Sequence, residues 1–272
     1  MHSLSGKVAV ITGAASGIGQ ALATRLAAEG CQLALADIDL AQLERNAESL
    51  RSSGARVSCH ALDVAERAAV YAFADRVLAE HGSADLIVNN AGVAVSQTIE
   101  ALGYDDFEWL MNINFWGVVH GSKAFLPHLL KQGSGHIVNL SSIFGIVSLP
   151  TQGAYNASKF AVRGFTEALR QEVACRGVAV SCVHPGGIKT NIARSARFYR
   201  GIDGSQDAAR AAHNFDKLAR TSAAQAAEAI VAGIKAGRPR ILIGSDARFL
   251  DRVQRLLPAA YPRLLAKLLH KK

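Results

Sequence analysis

The chain has few of the features that would take it outside ordinary globular proteins. It holds four cysteines in 272 residues, Cys31, Cys59, Cys175 and Cys182, with no C-x-x-C pair. That spacing excludes a disulfide framework or a zinc finger and predicts buried, reduced thiols in a cytoplasmic protein. No apolar run reaches the ~18 residues a bilayer requires, because Arg, Lys, Asp or Glu interrupts each one earlier. The N-terminus imitates a secretory signal, with Lys7 before Val8 to Ile11 and the small residues Ala21-Leu22-Ala23. The interposed Gly13, Gly17 and Gly19 fit a functional turn better. Charged residues make up only 19% and hydrophobic ones 50%, which is too apolar for a disordered chain. No metal site is assigned.

The net charge of +8 is unevenly placed: residues 1–188 carry −3, residues 189–220 carry +4 and residues 247–272 carry +6. A nucleic-acid reader would spread its cations along one face with aromatic platforms between them, so the pattern argues against such a partner.

Short apolar runs alternate with longer amphipathic ones. Strands are predicted at 7–12, 32–36, 56–61, 85–89, 136–140, 179–183 and 240–243, and helices at 17–30, 40–52, 65–80, 105–131, 154–176 and from Ser222 to about Ala236. The α/β alternation implies a single doubly wound Rossmann-type domain with a seven-stranded parallel sheet. Near-continuous apolar strands such as Val8-Ala-Val-Ile11 agree, since both faces of such a sheet are buried. The expected domain spans residues 1–246, followed by a C-terminal amphipathic helical tail over 247–272.

Ligands in such sheets bind beyond the carboxyl ends of the strands. After the first strand comes Gly13-x-x-Ser16-Gly17-Ile18-Gly19, opening directly into a helix. Glycines permit close backbone approach, and a helix N-terminus offers unpaired N–H groups to an anionic diphosphate. Asp37 ends the second strand, where a carboxylate accepts from both ribose hydroxyls of an adenosine and repels a 2′-phosphate. No cation stands at Ser16 or Ile38, so NAD is expected, with NADP less favoured. Asp39 is the better helix cap. Asp63-Val64 follows the third strand, within reach of an adenine edge, and Asn89-Asn90-Ala91-Gly92 forms a small-residue turn after the fourth.

Tyr155 and Lys159, four apart on one helix face, form the sharper constellation. A nearby ammonium favours a phenolate, which makes a phenol useful in proton transfer. Ser142 follows the fifth strand and points to the same crevice. Asn114 sits inside the long helix 105–131, where an asparagine is locally unfavourable and suggests a kink or a bound water.

Together these motifs resemble the classical short-chain dehydrogenases/reductases: Thr12-Gly-x-x-x-Gly-Ile-Gly19, Asp63, Asn89-Asn-Ala-Gly92, Asn114, Ser141-Ser142, Tyr155-x-x-x-Lys159 and Pro185-Gly186 followed by Thr190. The resemblance covers roughly residues 5–245. It implies that Tyr155 exchanges a proton with the substrate oxygen while Ser142, 13 residues earlier, hydrogen-bonds that oxygen and Ser141 is structural. Lys159 would lower the phenol's pKa and hold the nicotinamide ribose, Asn114 would position a proton-relaying water, and Ile188 and Thr190 would touch the nicotinamide side. It also implies a homodimer or homotetramer.

The expected substrate pocket includes Val93, Phe144, Leu149, Gln152, Gly187 and Ile192, with a lid over about 187–220. Its apolar composition suits a secondary alcohol or ketone. The expected activity is therefore NAD-dependent alcohol dehydrogenation or ketone reduction. The rivals are an NADP-linked carbonyl reductase and a non-catalytic nucleotide-sensing or membrane-associated binding protein. In the tail, Phe249, Val253, Leu256, Leu257, Leu264, Leu265, Leu268 and Leu269 recur at helical spacing with Arg and Lys between, while Pro258 and Pro262 interrupt. Packing on the body or on a second subunit is one reading, and peripheral attachment to anionic lipid is the other.

Overall fold

A computed structural model describes residues 3–269. The chain alternates β1 Val8–Thr12, α1 Gly17–Ala28, β2 Gln32–Asp37, α2 Leu40–Ser52, β3 Val57–Ala61, α3 Arg67–His81 and β4 Leu86–Asn89. A two-residue strand, β5 Val95–Ser96, precedes α4 Tyr104–Met111, a π-helical turn Asn112–Trp116 and α5 Gly117–Gln132. Then come β6 Gly135–Leu140, α6 Gly153–Glu172, β7 Val178–Pro185, β8 Ile188–Lys189, β9 Arg197–Phe198, α7 Ala208–Leu218, β10 Thr221–Ser222, α8 Ala223–Lys235, β11 Arg240–Ile243, α9 Ser245–Leu256 and α10 Tyr261–Leu269.

Seven strands form one parallel sheet in the order β11-β7-β6-β4-β1-β2-β3. The fold is the α/β Rossmann-like one expected. Strand order reverses between β1 and β4, which opens a crevice at their carboxyl ends. All five residues of β1 and all six of β6 are buried, as helix layers on both faces require. One core cluster gathers Leu22, Leu26, Leu33, Leu35, Ile230 and Ile234 on one face, and the other gathers Phe73, Val77, Phe125, Leu129 and Ile137 on the opposite face.

Three local expectations change. Helix 105–131 is not continuous, because the π turn Asn112–Trp116 interrupts it at Asn114. Such a bulge shifts the hydrogen-bond ladder by one residue, which is how the helix accommodates a buried asparagine. Pro262 starts α10 rather than interrupting it, since its missing N–H costs nothing in a first turn. Of the four thiols, Cys31 and Cys182 are buried, Cys59 is half-buried and Cys175 is exposed in the turn after α6. No helix among the described residues is long and apolar enough to cross a membrane.

Candidate active site

The turns after β1 and β4 form one hydrogen-bonded unit. The Thr12 hydroxyl accepts from the Asn90 and Ala91 N–H groups at 3.0 and 3.2 Å. The Asn90 amide donates to the Thr12 and Gly13 carbonyls at 2.9 and 3.0 Å. This close approach requires glycine: a Cβ on Gly13 would lie 2.8 Å from the Ala91 Cα, and one on Gly19 only 2.1 Å from the Gly13 oxygen. Ser16 precedes α1 without a side-chain cap, and no acidic residue stands in the first turn. The N–H groups at that end, and the room the glycines leave, fit the diphosphate of a dinucleotide. Gly17 brings Ile18 and the helix start against Thr190, whose Cγ2 would be 3.3 Å from an added Cβ. Ile188 is buried nearby in β8.

Asp37 closes β2 at the crevice edge. Its Oδ2 accepts from Ala15 N–H at 2.9 Å and its Oδ1 from Asp39 N–H at 3.1 Å, and a carboxylate oxygen has capacity for a second donor. Asp39 caps α2 by accepting from Gln42 N–H at 2.9 Å. Asp63 accepts from Ala65 N–H at 2.9 Å, which shapes the turn after β3, and Val64 is buried against Gly117.

Gly92 marks the centre of the second cluster, since a Cβ there would lie 3.2 Å from Asn114 Oδ1 and 3.5 Å from Lys159 Nζ. Asn114 is fully buried. Its Oδ1 accepts from Val93 N–H at 2.8 Å, and its Nδ2 donates to the Val93 carbonyl at 2.9 Å and to Ser158 Oγ at 3.3 Å. Ser158 in turn donates to the Tyr155 carbonyl at 2.8 Å. Lys159 Nζ donates to the Leu140 carbonyl at 3.0 Å and lies 5.6 Å from the Tyr155 ring centre. Ser142 Oγ accepts from Phe144 N–H at 3.1 Å, while Ser141 donates to the Lys159 carbonyl at 2.8 Å. The structure thus gathers Asn114, Ser142, Tyr155 and Lys159 where β4 and β6 end.

Burial dominates the electrostatics here. It pushes the Tyr155 phenol up to about 12, with the Ser142 hydroxyl pulling the other way, and it lowers Lys159 to about 8. At neutral pH the pair is therefore phenol and ammonium, with the ammonium directed to a carbonyl.

Among the pocket residues, Val93 and Tyr155 share one apolar cluster, and Phe144 meets the Tyr155 ring edge-on at 6.1 Å. Gly187 donates to Asp246 at 2.6 Å, and Pro185 ends β7 with Gly186 following it. Leu149 accepts from Asn156 at 2.9 Å and Gln152 bridges to Gln97, both at the start of α6. Ile192 lies in the short 3-10 turn Asn191–Ala193. Leu149, Gln152 and Ile192 are joined to Tyr155 by none of the apolar clusters among the described residues.

A family model described as short chain dehydrogenase matches residues 7–199. The chain belongs to the short-chain dehydrogenase family. Within it, the chain is 48% identical over 269 residues to a Mycobacterium tuberculosis protein named as an oxidoreductase, SadH, covering 98% of this chain and 96% of that one. It is also similar to a Burkholderia phymatum short chain dehydrogenase/reductase solved in complex with NAD, at 34% identity and TM-score 0.87, covering 94% and 95% of the two chains. A third likeness is an alcohol dehydrogenase of Thermococcus sibiricus complexed with 5-hydroxy-NADP, at 28% identity and TM-score 0.75, covering 87% and 95%. The chain is thus an oxidoreductase of the short-chain dehydrogenase family, with relatives solved on either nucleotide.

Several contacts around this site escape a reading by motif. His184 reaches the Ser142 carbonyl at 2.9 Å. Tyr261, from α10, accepts from Ser148 N–H at 3.3 Å, so the tail helices touch the segment after Ser142. The segment expected to form a lid pairs with the body through β5 and β9, and Arg197 lies 3.6 Å over the Trp109 ring and 2.7 Å from Asp106. Two-residue strands carry no period, and nothing in the sequence near Arg197 names its partner. Among the exposed cations of this segment are Lys189, Arg200, Arg210 and Arg220.

Proposed function

We propose that the protein is an NAD-dependent oxidoreductase that moves a hydride between the nicotinamide and an apolar secondary alcohol or ketone, with Tyr155 as acid/base. The observation that carries this reading is the gathering of Ser142, Tyr155, Lys159 and Asn114 around Gly92 at the strand ends. Gly13, Ser16, Gly17, Ile18 and Gly19 would hold the diphosphate, Asp37 the adenosine ribose, Asp63 and Val64 the adenine side, and Asn90 to Gly92, Lys159, Pro185, Gly186, Ile188 and Thr190 the remainder. The nicotinamide supplies or accepts the hydride.

In reduction, the substrate oxygen sits between the Ser142 hydroxyl and the Tyr155 phenol. Tyr155, protonated because its pKa is pushed up to about 12, is poised as the donor to an oxygen gaining charge. The Lys159 cation then stabilises the phenolate left behind. Both Asn114 amide hydrogens are spent on Val93 and Ser158, so a water relaying protons to Lys159 would not be held by the Asn114 side-chain N–H groups. Position and orientation supply much of the rate.

Asp37 supports NAD over NADP, since its carboxylate would meet a 2′-phosphate with like charge. Phe144 and Val93 beside Tyr155 support an apolar substrate. A homodimer or homotetramer is proposed from the family alone.

The test is absorbance of the reduced nicotinamide, with NAD and NADP run side by side over apolar secondary alcohols of increasing size, sterols included. Turnover with NAD and a bulky alcohol is expected, and Tyr155→Phe should abolish it while sparing NAD affinity. Turnover with NADP alone would overturn the Asp37 argument, and silence with both would overturn the reading itself.

A further inference from the structure

The segment 247–272 carries seven Lys or Arg and one acid. Helix α9 divides into two faces. Its inner face packs through Ala247 and Leu250 on Ile143, Ile146 and Val147, with help from Leu242, Tyr261 and Leu265, and carries the buried Asp251. Its outer face, at spacings of three and four, is Ser245, Arg248, Phe249, Arg252, Arg255 and Leu256, all exposed. Phe249 is 57% exposed and Leu256 79%. The turn to α10 is Leu257, Pro258 and Ala259, also exposed, and α10 continues the surface with Arg263 and Leu264.

Such a face is not the usual solvated one, because large apolar side chains occupy it where polar ones belong. Of the two carboxylates of α9, Asp251 is buried and pairs with Arg240 at 2.6 Å, while Asp246, exposed in the first turn, takes the Gly187 N–H. Beyond that first turn what faces outward is cationic and apolar, with an apolar turn, Leu256 to Ala259, flanked by Arg252, Arg255 and Arg263.

We propose that this surface, the outer face of α9 with the turn to α10, docks on an anionic lipid bilayer. A bilayer surface offers what both kinds of side chain need, an acyl boundary for Phe249, Leu256 and Leu257 and phosphate headgroups for the arginines. A second copy of the chain fits less well. A two-fold interface is self-complementary, and it would bring the four arginines against their own counterparts. The inner face of α9 is already used, so docking requires no rearrangement of the fold.

The experiment is sedimentation of the full chain with vesicles of phosphatidylcholine alone and of phosphatidylcholine mixed with phosphatidylglycerol, at low and high salt. Binding should need the anionic lipid and weaken as salt rises. Replacing Arg248, Arg252 and Arg255 by Gln should weaken it on the order of a hundredfold, from about 1 kcal/mol per cation. Phe249→Ser combined with Leu256→Ser and Leu257→Ser should weaken it at least roughly tenfold at unchanged net charge. Thermal melting and light-scattering mass are recorded on every variant, and both should stay unchanged, since the altered side chains point outward. No sedimentation with either vesicle, or sedimentation indifferent to both triple variants, would overturn the proposal. So would a fall in particle mass in the Ser variant, which would make the face a contact between copies.

Discussion

His184 Nδ1 lies 2.9 Å from the carbonyl oxygen of Ser142. A carbonyl only accepts, so the proton is on Nδ1, and the ring at the end of β7 thereby fixes the backbone of the residue expected to grip the substrate oxygen. His184 is fully buried, and burial lowers its pKa to about 4, so it makes this bond as a neutral imidazole. His184→Leu removes one of two donors to this carbonyl, which Gly145 N–H also reaches at 3.0 Å, a change worth about 1 kcal/mol. We expect kcat to fall roughly several-fold with cofactor affinity kept, and His184→Asn, whose Nδ2 reproduces the donor, to recover most of the loss. Equal losses in both variants would show that only the ring's volume matters.

The same burial makes the fold sensitive to acid. His184 and His136 are both lowered to about 4 by desolvation, against an ordinary value of 6.5. The folded state therefore holds fewer protons than the unfolded chain between those values. The stability tied to each neutral ring is complete above pH 6.5 and is lost as pH falls toward 4, by up to about 3 kcal/mol per histidine. Denaturant titrations should show midpoints that drop steeply over this window, and His184→Asn should flatten the slope. A midpoint constant between pH 6.5 and 4 would contradict the assignment.

In the proposed reading Asp37 sets the cofactor preference. Asp37→Ser removes the carboxylate, and a hydrogen bond to a charged group contributes about 1.5–3 kcal/mol. NAD-linked kcat/KM should drop roughly 10- to 100-fold, with NADP use rising as the like charge disappears. Because Asp37 also accepts from Ala15 N–H, Asp37→Asn is the informative companion, since it keeps an acceptor for the turn and loses only the charge. Unchanged NAD kinetics in both variants would remove Asp37 from recognition.

The motif-bearing turns were legible because each follows a strand and its residue types answer a local need. Gly13 and Gly19 could be read from sequence, as their neighbours leave no room for a Cβ. Asn114 announced itself as an unfavourable residue in a helix, and the π turn is the physical outcome. The contacts of Arg197 with Trp109 and of His184 with Ser142 could not be read this way. They join residues 88 and 42 positions apart in the chain through single side chains, which leave no periodic trace. Asp246 is similar: it looks like a first-turn helix acid, yet its Oδ2 holds Gly187 N–H at 2.6 Å.

Lys159 and Tyr155 predict the shape of the pH profile. In the proposed mechanism, reduction needs the phenol protonated and the lysine charged. Tyr155 stays protonated to about 12, while Lys159 loses its proton near 8. The rate of ketone reduction should be level below pH 8 and decline above it, and the decline should report the lysine. Stopped-flow reduction across this range gives the midpoint directly. A rate still level two units higher would mean that the cation is held more strongly than its burial implies.

Arg197 ties segment 187–220, the proposed lid, to the body. It is held over the Trp109 ring at 3.6 Å and against Asp106 at 2.7 Å, and its backbone N–H donates to the Ala94 carbonyl at 3.1 Å. The guanidinium also holds the Asp106 carboxyl below the ordinary carboxylate range. The pair is partly exposed, so its net worth is modest, on the order of 1 kcal/mol with the cation–π contact included. That is still enough to change how often a lid of few buried contacts opens. Arg197→Gln should raise KM several-fold for a bulky substrate with little change in global melting temperature, and proteolytic nicking between residues 199 and 207 should quicken. Trp109→Leu, which removes the ring but keeps the ion pair, should give a smaller shift in the same direction. If neither variant alters KM or nicking, the lid is held by the β5–β9 pairing alone, and Arg197 is a surface cation resting on a tryptophan.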